Sequence, residues 1–64
     1  MKDLQNFVNQ FGTGISVKKL VDKAYLAMEA AGHDVCLLNE RYIIVDGVEY
    51  RFAKRNGSWV VKEF

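Results

Sequence analysis

Residues 33–36 read His-Asp-Val-Cys and bring together an imidazole, a carboxylate and a thiol, the groups of a Cys/His nucleophile pair. Such a pair works only when the thiol and the imidazole lie within hydrogen-bond distance and a third group orients the base. The periodicity places Cys36 in a short apolar strand, opposite Ile43 on the buried face, where a thiol is inert. We therefore predict no nucleophile here, and we interpret His33, just after Gly32, as a favourable charge near a helix C-terminus.

Residues 12–14 read Gly-Thr-Gly and precede a helix that carries Ser16, Lys18 and Lys19, an arrangement that suggests phosphate binding. Amides at a helix N-terminus do attract anions. However, neither GxxxxGK[ST] nor GxGxxG is present, and both of those motifs follow a strand, whereas this segment follows a predicted helix. We predict that residues 12–14 are a flexible connector.

The remaining polar residues do not assemble a reactive centre. The acidic residues of the second half lie on predicted turns and strand exteriors, and a chain this small has little room for a desolvated pocket that two carboxylates share. A structural zinc normally needs four Cys- or His-type ligands, whereas Cys36 and His33 are the only two available. We expect no enzyme activity, no catalytic residues, no cofactor, no metal and no small-molecule substrate.

Length and composition restrict the class of protein. The chain has 64 residues, 50% hydrophobic and 27% charged, with a formal net charge of +1 and no proline. These values are typical of one small globular domain, here residues 1–64. A single cysteine excludes an intrachain disulfide and favours a reducing compartment. No stretch approaches the roughly 18 apolar residues of a membrane span or resembles a signal peptide. We expect a cytoplasmic protein that does not enter membranes.

The first helix is predicted over residues 3–11. Its apolar residues recur with the 3.6-residue period of one helix face. We predict Asp3 as the N-cap, because its carboxylate accepts free amide hydrogens of the first turn. Gly12 follows the last apolar position, where a left-handed residue is favoured.

The second helix is predicted over residues 16–31, with Ser16 as its N-cap and Gly32 as its end. Leu26 does not belong to its apolar stripe and points to the opposite side of the helix. Either the first helix covers Leu26, or Leu26 is an exposed anchor for another chain.

From Val35 onward the period changes to two, which is typical of strands. Asp46-Gly47 suits a two-residue type I′ hairpin turn, and Asn56-Gly57 marks a further turn. The predicted strands cover 35–38, 41–45, 48–54 and 58–63. The fold class is therefore α+β: two N-terminal helices, then an antiparallel meander of three or four strands, with the second helix packed on one sheet face.

The hairpin formed by the last two predicted strands allows two registers. A four-residue turn over 54–57 sets Glu49 opposite Lys62, whereas a two-residue turn sets Arg51 opposite Lys62. We favour the four-residue turn, because directly opposed like charges are unfavourable. The face assignments do not depend on this choice, because the two registers differ by an even number of residues.

The alternation assigns the strand residues to two faces. The core face is predicted to hold Ile43, Val45, Val48, Tyr50, Phe52, Trp59 and Val61. The other face is predicted to hold Tyr42, Ile44, Glu49, Arg51, Ala53, Val60 and Lys62. This second face combines an apolar centre with a charged surround, a pattern that often marks interaction sites.

Three functions remain open. The leading one is a non-enzymatic, regulatory or inhibitor-type protein of the size common among bacterial and phage regulators, which binds another protein. Its predicted binding residues are Leu26, Tyr42, Ile44, Arg51, Val60 and Phe64. The second is a nucleic-acid-binding module that uses Tyr42, Arg51, Lys54, Arg55 and Lys62, although such modules usually carry a clear basic excess. The third is a homodimeric structural subunit whose sheets pack face to face.

Overall fold

Two helices precede a four-stranded antiparallel sheet in the computed structural model, which describes residues 2–63. The strands follow one another in the sheet in chain order, as a meander. The predicted α+β fold is therefore confirmed. The elements are α1 (Lys2–Phe11), α2 (Val17–Ala30), β1 (Val35–Asn39), β2 (Tyr42–Val45), β3 (Val48–Arg55) and β4 (Ser58–Glu63).

Both helices pack on the same face of the sheet. Helix α1 lies against β4 and α2, while α2 lies against β1 and β2. Between the helices and the sheet is a single apolar core. Its buried residues are Leu4, Val8, Leu20, Val21, Ala24, Met28, Ile43, Val45, Tyr50, Phe52 and Trp59. The strand residues in this core all belong to the face predicted to be buried.

Helix α2 begins and ends as predicted. Ser16 is the N-cap, with extended backbone, and its hydroxyl accepts a hydrogen bond from the Lys19 amide at 3.4 Å. At the other end Gly32 has a φ of +92°, and the His33 amide donates to the Met28 carbonyl at 3.0 Å. This bond, which reaches back over the last turn, is the Schellman arrangement that a left-handed glycine permits.

Helix α1 differs from the prediction at both ends. It starts at Lys2, so Asp3 lies in its first turn and is not the N-cap. Gly12 does not have a positive φ. A Cβ atom at Gly12 would collide with the Val8 carbonyl oxygen and lie 3.4 Å from the Trp59 Cβ. Glycine is therefore needed here for close packing, not for a left-handed conformation.

The turn between β3 and β4 contradicts the preferred register. Asn56 and Gly57 have φ values of +52° and +81°, and Arg55 pairs directly with Ser58, so the turn has two residues. Arg51 consequently lies opposite Lys62. The backbone twist of a type I′ Asn-Gly turn matches that of the flanking strands, and this local preference outweighs the small repulsion between two solvated charges. The Asp46-Gly47 turn has the predicted type I′ conformation, with φ values of +52° and +82°.

Strand β1 also differs in register. Cys36 pairs with Ile44 and is exposed, so its predicted place opposite Ile43 in the core is wrong. The register between β1 and β2 shifts after Leu37. A bulge inserts one extra residue, so the residues on its far side from the β1–β2 turn, Cys36 among them, occupy the opposite face. The short apolar run of β1 contains no signal for that bulge.

Candidate functional site

The sheet presents one face away from both helices, which we call the outer face. Alternation along the paired strands places its residues, and the register brings them together in rows. None of the helices within residues 2–63 packs on it. The outer face consists of Cys36, Tyr42, Ile44, Glu49, Arg51, Ala53, Arg55, Ser58, Val60 and Lys62.

An apolar band crosses the centre of the outer face. Val60 lies opposite Ala53 on the neighbouring strand, and Ile44 lies opposite Cys36. Tyr42 lies between these two pairs: it is two residues from Ile44 on β2, and its partner on β3, Arg51, is two residues from Ala53. Tyr42, Ile44, Ala53 and Val60 are each half-buried. The exposure predicted for this patch is therefore partial.

Two cations stand together at the edge of this band. Arg51 pairs with Lys62 across β3 and β4, and both side chains are exposed. No carboxylate within residues 2–63 forms an ion pair with either of them. Directly opposed like charges reduce the stability of a sheet. The outer face thus keeps a small electrostatic cost that an acidic partner would relieve.

The predicted protein-binding residues do not form one surface. Tyr42, Ile44, Arg51 and Val60 share the outer face, whereas Leu26 lies on the helical side of the molecule and is 62% exposed. The first helix does not cover Leu26. Instead, the rings of Phe7 and Phe11, 4.8 Å apart, line a shallow depression together with Leu26. Phe64 lies outside the described residues.

The predicted nucleic-acid-binding residues divide in a similar way. Tyr42, Arg51, Arg55 and Lys62 lie on the outer face. Lys54 lies on the helical side, where its Nζ sits 5.6 Å from the centroid of the Trp59 ring. One of the five residues therefore lies on the opposite face of the sheet from the other four.

A cluster of polar side chains surrounds His33, and no pattern in the sequence predicts it. The imidazole Nδ1 lies 2.7 Å from Asp46 Oδ2, and Nε2 lies 3.3 Å from Asp3 Oδ2. The other oxygen of Asp46 accepts a hydrogen bond from the Asp34 amide at 3.0 Å. These contacts join the start of α1, the end of α2 and the turn between β2 and β3. Residues this distant in sequence carry no local signal for such a contact.

The cluster shifts the protonation of its members. The hydrogen bond to Asp46 raises the pKa of His33 above its ordinary value of 6.5. The hydrogen bond from the Asp34 amide lowers the pKa of Asp46 below its ordinary value of 3.8, and the hydrogen bond with His33 lowers it further. No hydrogen bond in the described chain joins His33 to Cys36, which lies on the outer face. The cluster therefore ties elements together and lacks the geometry of a nucleophile pair.

Other kinds of site find no support in the geometry. Within residues 2–63, no group of three or more His, Cys, Asp or Glu side chains could hold a metal ion. None of the helices in that range is both long enough and apolar enough to cross a bilayer. Comparisons with protein-family models, curated proteins and solved structures give no match. The features that bear on function are therefore the surfaces of the sheet and of the helices.

Proposed function

We propose that the protein is a small non-enzymatic binding module that docks another protein through its outer face. The observation that supports this most directly is the half-buried apolar band of Tyr42, Ile44 and Val60 on a face that no described helix covers. A solvated face of an antiparallel sheet normally shows a clean polar alternation. Contiguous apolar surface with a polar rim is instead typical of interaction sites.

The charges on this face favour a partner with carboxylates. Arg51, Arg55 and Lys62 face outward with Glu49 as the single acidic residue among them. Complementary charge steers a partner and fixes its orientation. The partner we propose therefore presents apolar side chains flanked by Asp or Glu residues.

A protein explains this face better than a nucleic acid does. Single-stranded nucleic acids bind to stacking rings along a basic groove, whereas the outer face has one ring, Tyr42, and the chain has a net charge of only +1. Lys54 is also directed to the other side of the sheet. We expect no binding of a fluorescent single-stranded oligonucleotide at low salt. Binding that falls steeply with added salt would support the nucleic-acid alternative.

The partner can be sought by site-specific photo-crosslinking. A benzoylphenylalanine at Val60 tests the outer face, and the same group at Leu26 on the helical side is the matched control. We expect one acidic protein from a lysate of the source organism to crosslink through position 60 and not through position 26. The reverse result would move the docking surface to the helices.

Variants then test the interface with the purified partner. Arg51→Glu should weaken binding about thirtyfold, the effect of losing one strong interface contact. It should leave the fold intact, because the new carboxylate faces Lys62. Ile44→Asp should weaken binding similarly, with circular dichroism as the check on folding. Unchanged affinity for Arg51→Glu in a folded protein would refute the proposed role of the outer face.

A further inference from the structure

Strand β1 forms one edge of the sheet, and its outward backbone groups can be identified. Residues of an antiparallel pair alternate between exchanging hydrogen bonds with their partner and pointing these groups away. The Asp46 amide donates to the Asp34 carbonyl at 2.7 Å, which fixes this alternation. Cys36 therefore bonds toward β2, whereas Val35 and Leu37 direct their amides and carbonyls outward.

These outward groups have no protein partner within residues 2–63. The strand lacks two of the features that usually prevent an edge from pairing, since its sequence Val-Cys-Leu-Leu-Asn contains no charge and no proline. Its one irregularity, the bulge, comes after Leu37. Residues 35–37 consequently form a short, regular and uncharged edge.

The side chains along this edge are unusually apolar for their exposure. Leu37 is 47% exposed and Leu38 is 49% exposed. Both line a shallow depression that also includes Val21 of helix α2. Apolar surface beside unpaired backbone groups is what a second strand covers when it adds to a sheet.

We propose that β1 is a homodimerisation edge that pairs antiparallel with β1 of a second copy, with the two-fold axis at Cys36. In this register Val35 lies opposite Leu37 of the second copy, and Leu37 lies opposite Val35 of the second copy. The amides and carbonyls of both residues are then satisfied, which gives four hydrogen bonds across the interface. Both copies use the same surface, as two-fold symmetry requires.

The charges flanking β1 favour this register and this occupant. An axis at Leu37 would set Asp34 opposite Glu40 of the second copy, which is unfavourable. An axis at Cys36 sets Asp34 opposite Leu38 and brings only uncharged residues together over 35–37. The strand is thus complementary to a second copy of itself, with no charged side chain of residues 35–37 left to be neutralised. A second copy also adds buried surface to a chain of a size at which a single core gives a small stability margin.

The dimer would change the shape of the outer face. A two-fold axis between antiparallel strands runs perpendicular to the sheet, so both pairs of helices lie on one side. The two outer faces then join on the other side of a continuous eight-stranded sheet. The dimer does not depend on the proposed partner, because it is tested with the isolated chain.

Sedimentation equilibrium tests the edge. The wild-type chain should dimerise, and Leu37→Pro and Leu37→Lys should each weaken the dimer about tenfold or more. Proline is tolerated at this position because the Leu37 amide makes no bond within the sheet. Leu26→Lys, at another exposed leucine that lies away from the β1 edge, is the matched control and should dimerise like wild type.

Disulfide formation tests the register. Opposed residues that do not exchange hydrogen bonds across the new interface have Cα atoms about 4.5 Å apart, within disulfide range. Mild oxidation should therefore link Cys36 to Cys36 of the second copy. In a Cys36→Ser background, Leu37→Cys should link far less, because position 37 then faces position 35.

Several results would overturn the proposal. One is a wild-type chain that stays monomeric at about 1 mM, a concentration at which even weak dimers form. Another is a dimer that Leu37→Pro and Leu37→Lys leave unchanged, both variants being folded by circular dichroism. Stronger crosslinking through position 37 than through position 36 would refute the register. The chemical shifts of the β1 amides give a further test. If they change when a synthetic β1 peptide is added but do not change with the concentration of the protein itself, the second copy is refuted as the occupant of this edge.

Discussion

The two edges of the sheet differ in whether their outward backbone groups are hydrogen-bonded. At the β4 edge, the outward amide of Trp59 donates to the Gly12 carbonyl at 3.1 Å, and that of Val61 donates to the Gln5 side chain at 3.2 Å. Helix α1 and the segment after it therefore seal this edge. At the β1 edge, the outward groups of residues 35–37 have no such cover among residues 2–63.

This difference shows what the first helix contributes. Exposed strand edges invite pairing with other chains, and proteins usually block them. The chain uses α1, residues 12–15 and the Trp59 side chain to close one edge. Trp59 also donates its indole Nε1–H to the Ile15 carbonyl at 3.0 Å, so the connector of residues 12–14, predicted to be flexible, is held at Gly12 and at the residue that follows it. The open edge is therefore a specific property of β1.

The largest expected effect compares one residue from each edge. Trp59 is 9% exposed and packs in the core, whereas Leu37 is 47% exposed. Trp59→Ala should lower the free energy of unfolding by about 3–5 kcal/mol, the cost of removing a buried aromatic ring. Leu37→Ala should cost less than about 1 kcal/mol in the monomer, as is usual at exposed positions. Urea denaturation followed by circular dichroism measures both.

These values decide whether the edges differ in stability. A domain of this size is only marginally stable, so Trp59→Ala should unfold partly without denaturant. Equal losses for Trp59→Ala and Leu37→Ala, measured at concentrations where the chain is monomeric, would show that β1 is as well covered as β4.

A smaller effect is expected from the side chain that caps β4. Gln5→Ala leaves the Val61 amide without its acceptor and should cost about 1 kcal/mol of unfolding free energy. Gln10→Ala, at an exposed position of the same helix, is the matched control and should change stability by less than about 0.5 kcal/mol. Hydrogen exchange at the Val61 amide should accelerate only in the first variant. If both variants exchange alike, Gln5 does not protect this edge.

The features that the sequence predicted depend on local chemistry. The helix periods, the Ser16 cap, the Gly32 end and the Asp46-Gly47 turn each follow from residues close together in the chain. The faces of β2, β3 and β4 were also correct, because hydrophobic alternation within each strand assigns them without knowledge of the register.

The features that the sequence did not predict depend on distant residues or on competing local preferences. The bulge in β1 moved Cys36 to the outer face, and no residue type marks it. At Asn56-Gly57, the charges of Arg51 and Lys62 suggested one register while the turn residues favoured the other. The sealing of β4 by Gln5 and Gly12 requires α1 to be docked first, which no sequence pattern specifies.

The smallest expected effect concerns the side-chain contacts of His33 and Asp46, which tie the residues just before β1 to the turn after β2. Because the pKa of His33 is raised in the folded state, its protonated form stabilises the fold. This contribution is present in full below the unfolded-state pKa of about 6.5 and is lost as the pH rises through the higher folded-state pKa. The pKa of Asp46 is lowered in the folded state, so its contribution is present above its ordinary pKa of 3.8 and is lost as the pH falls through the lower folded-state pKa.

Raising the pH from about 6 to about 8 should therefore loosen the open edge and leave the sealed one unchanged. The measurement is the hydrogen-exchange protection of the Cys36 amide, which bonds toward β2, against that of the Val60 amide, which bonds toward β3. Protection at Cys36 should fall with rising pH once the intrinsic exchange rate is corrected for, while protection at Val60 stays constant. In His33→Gln the Cys36 amide should already have the lower protection at about pH 6 and show no further pH dependence. Equal pH dependence at both amides would mean that the His33 cluster stabilises the whole domain and is no special support for β1.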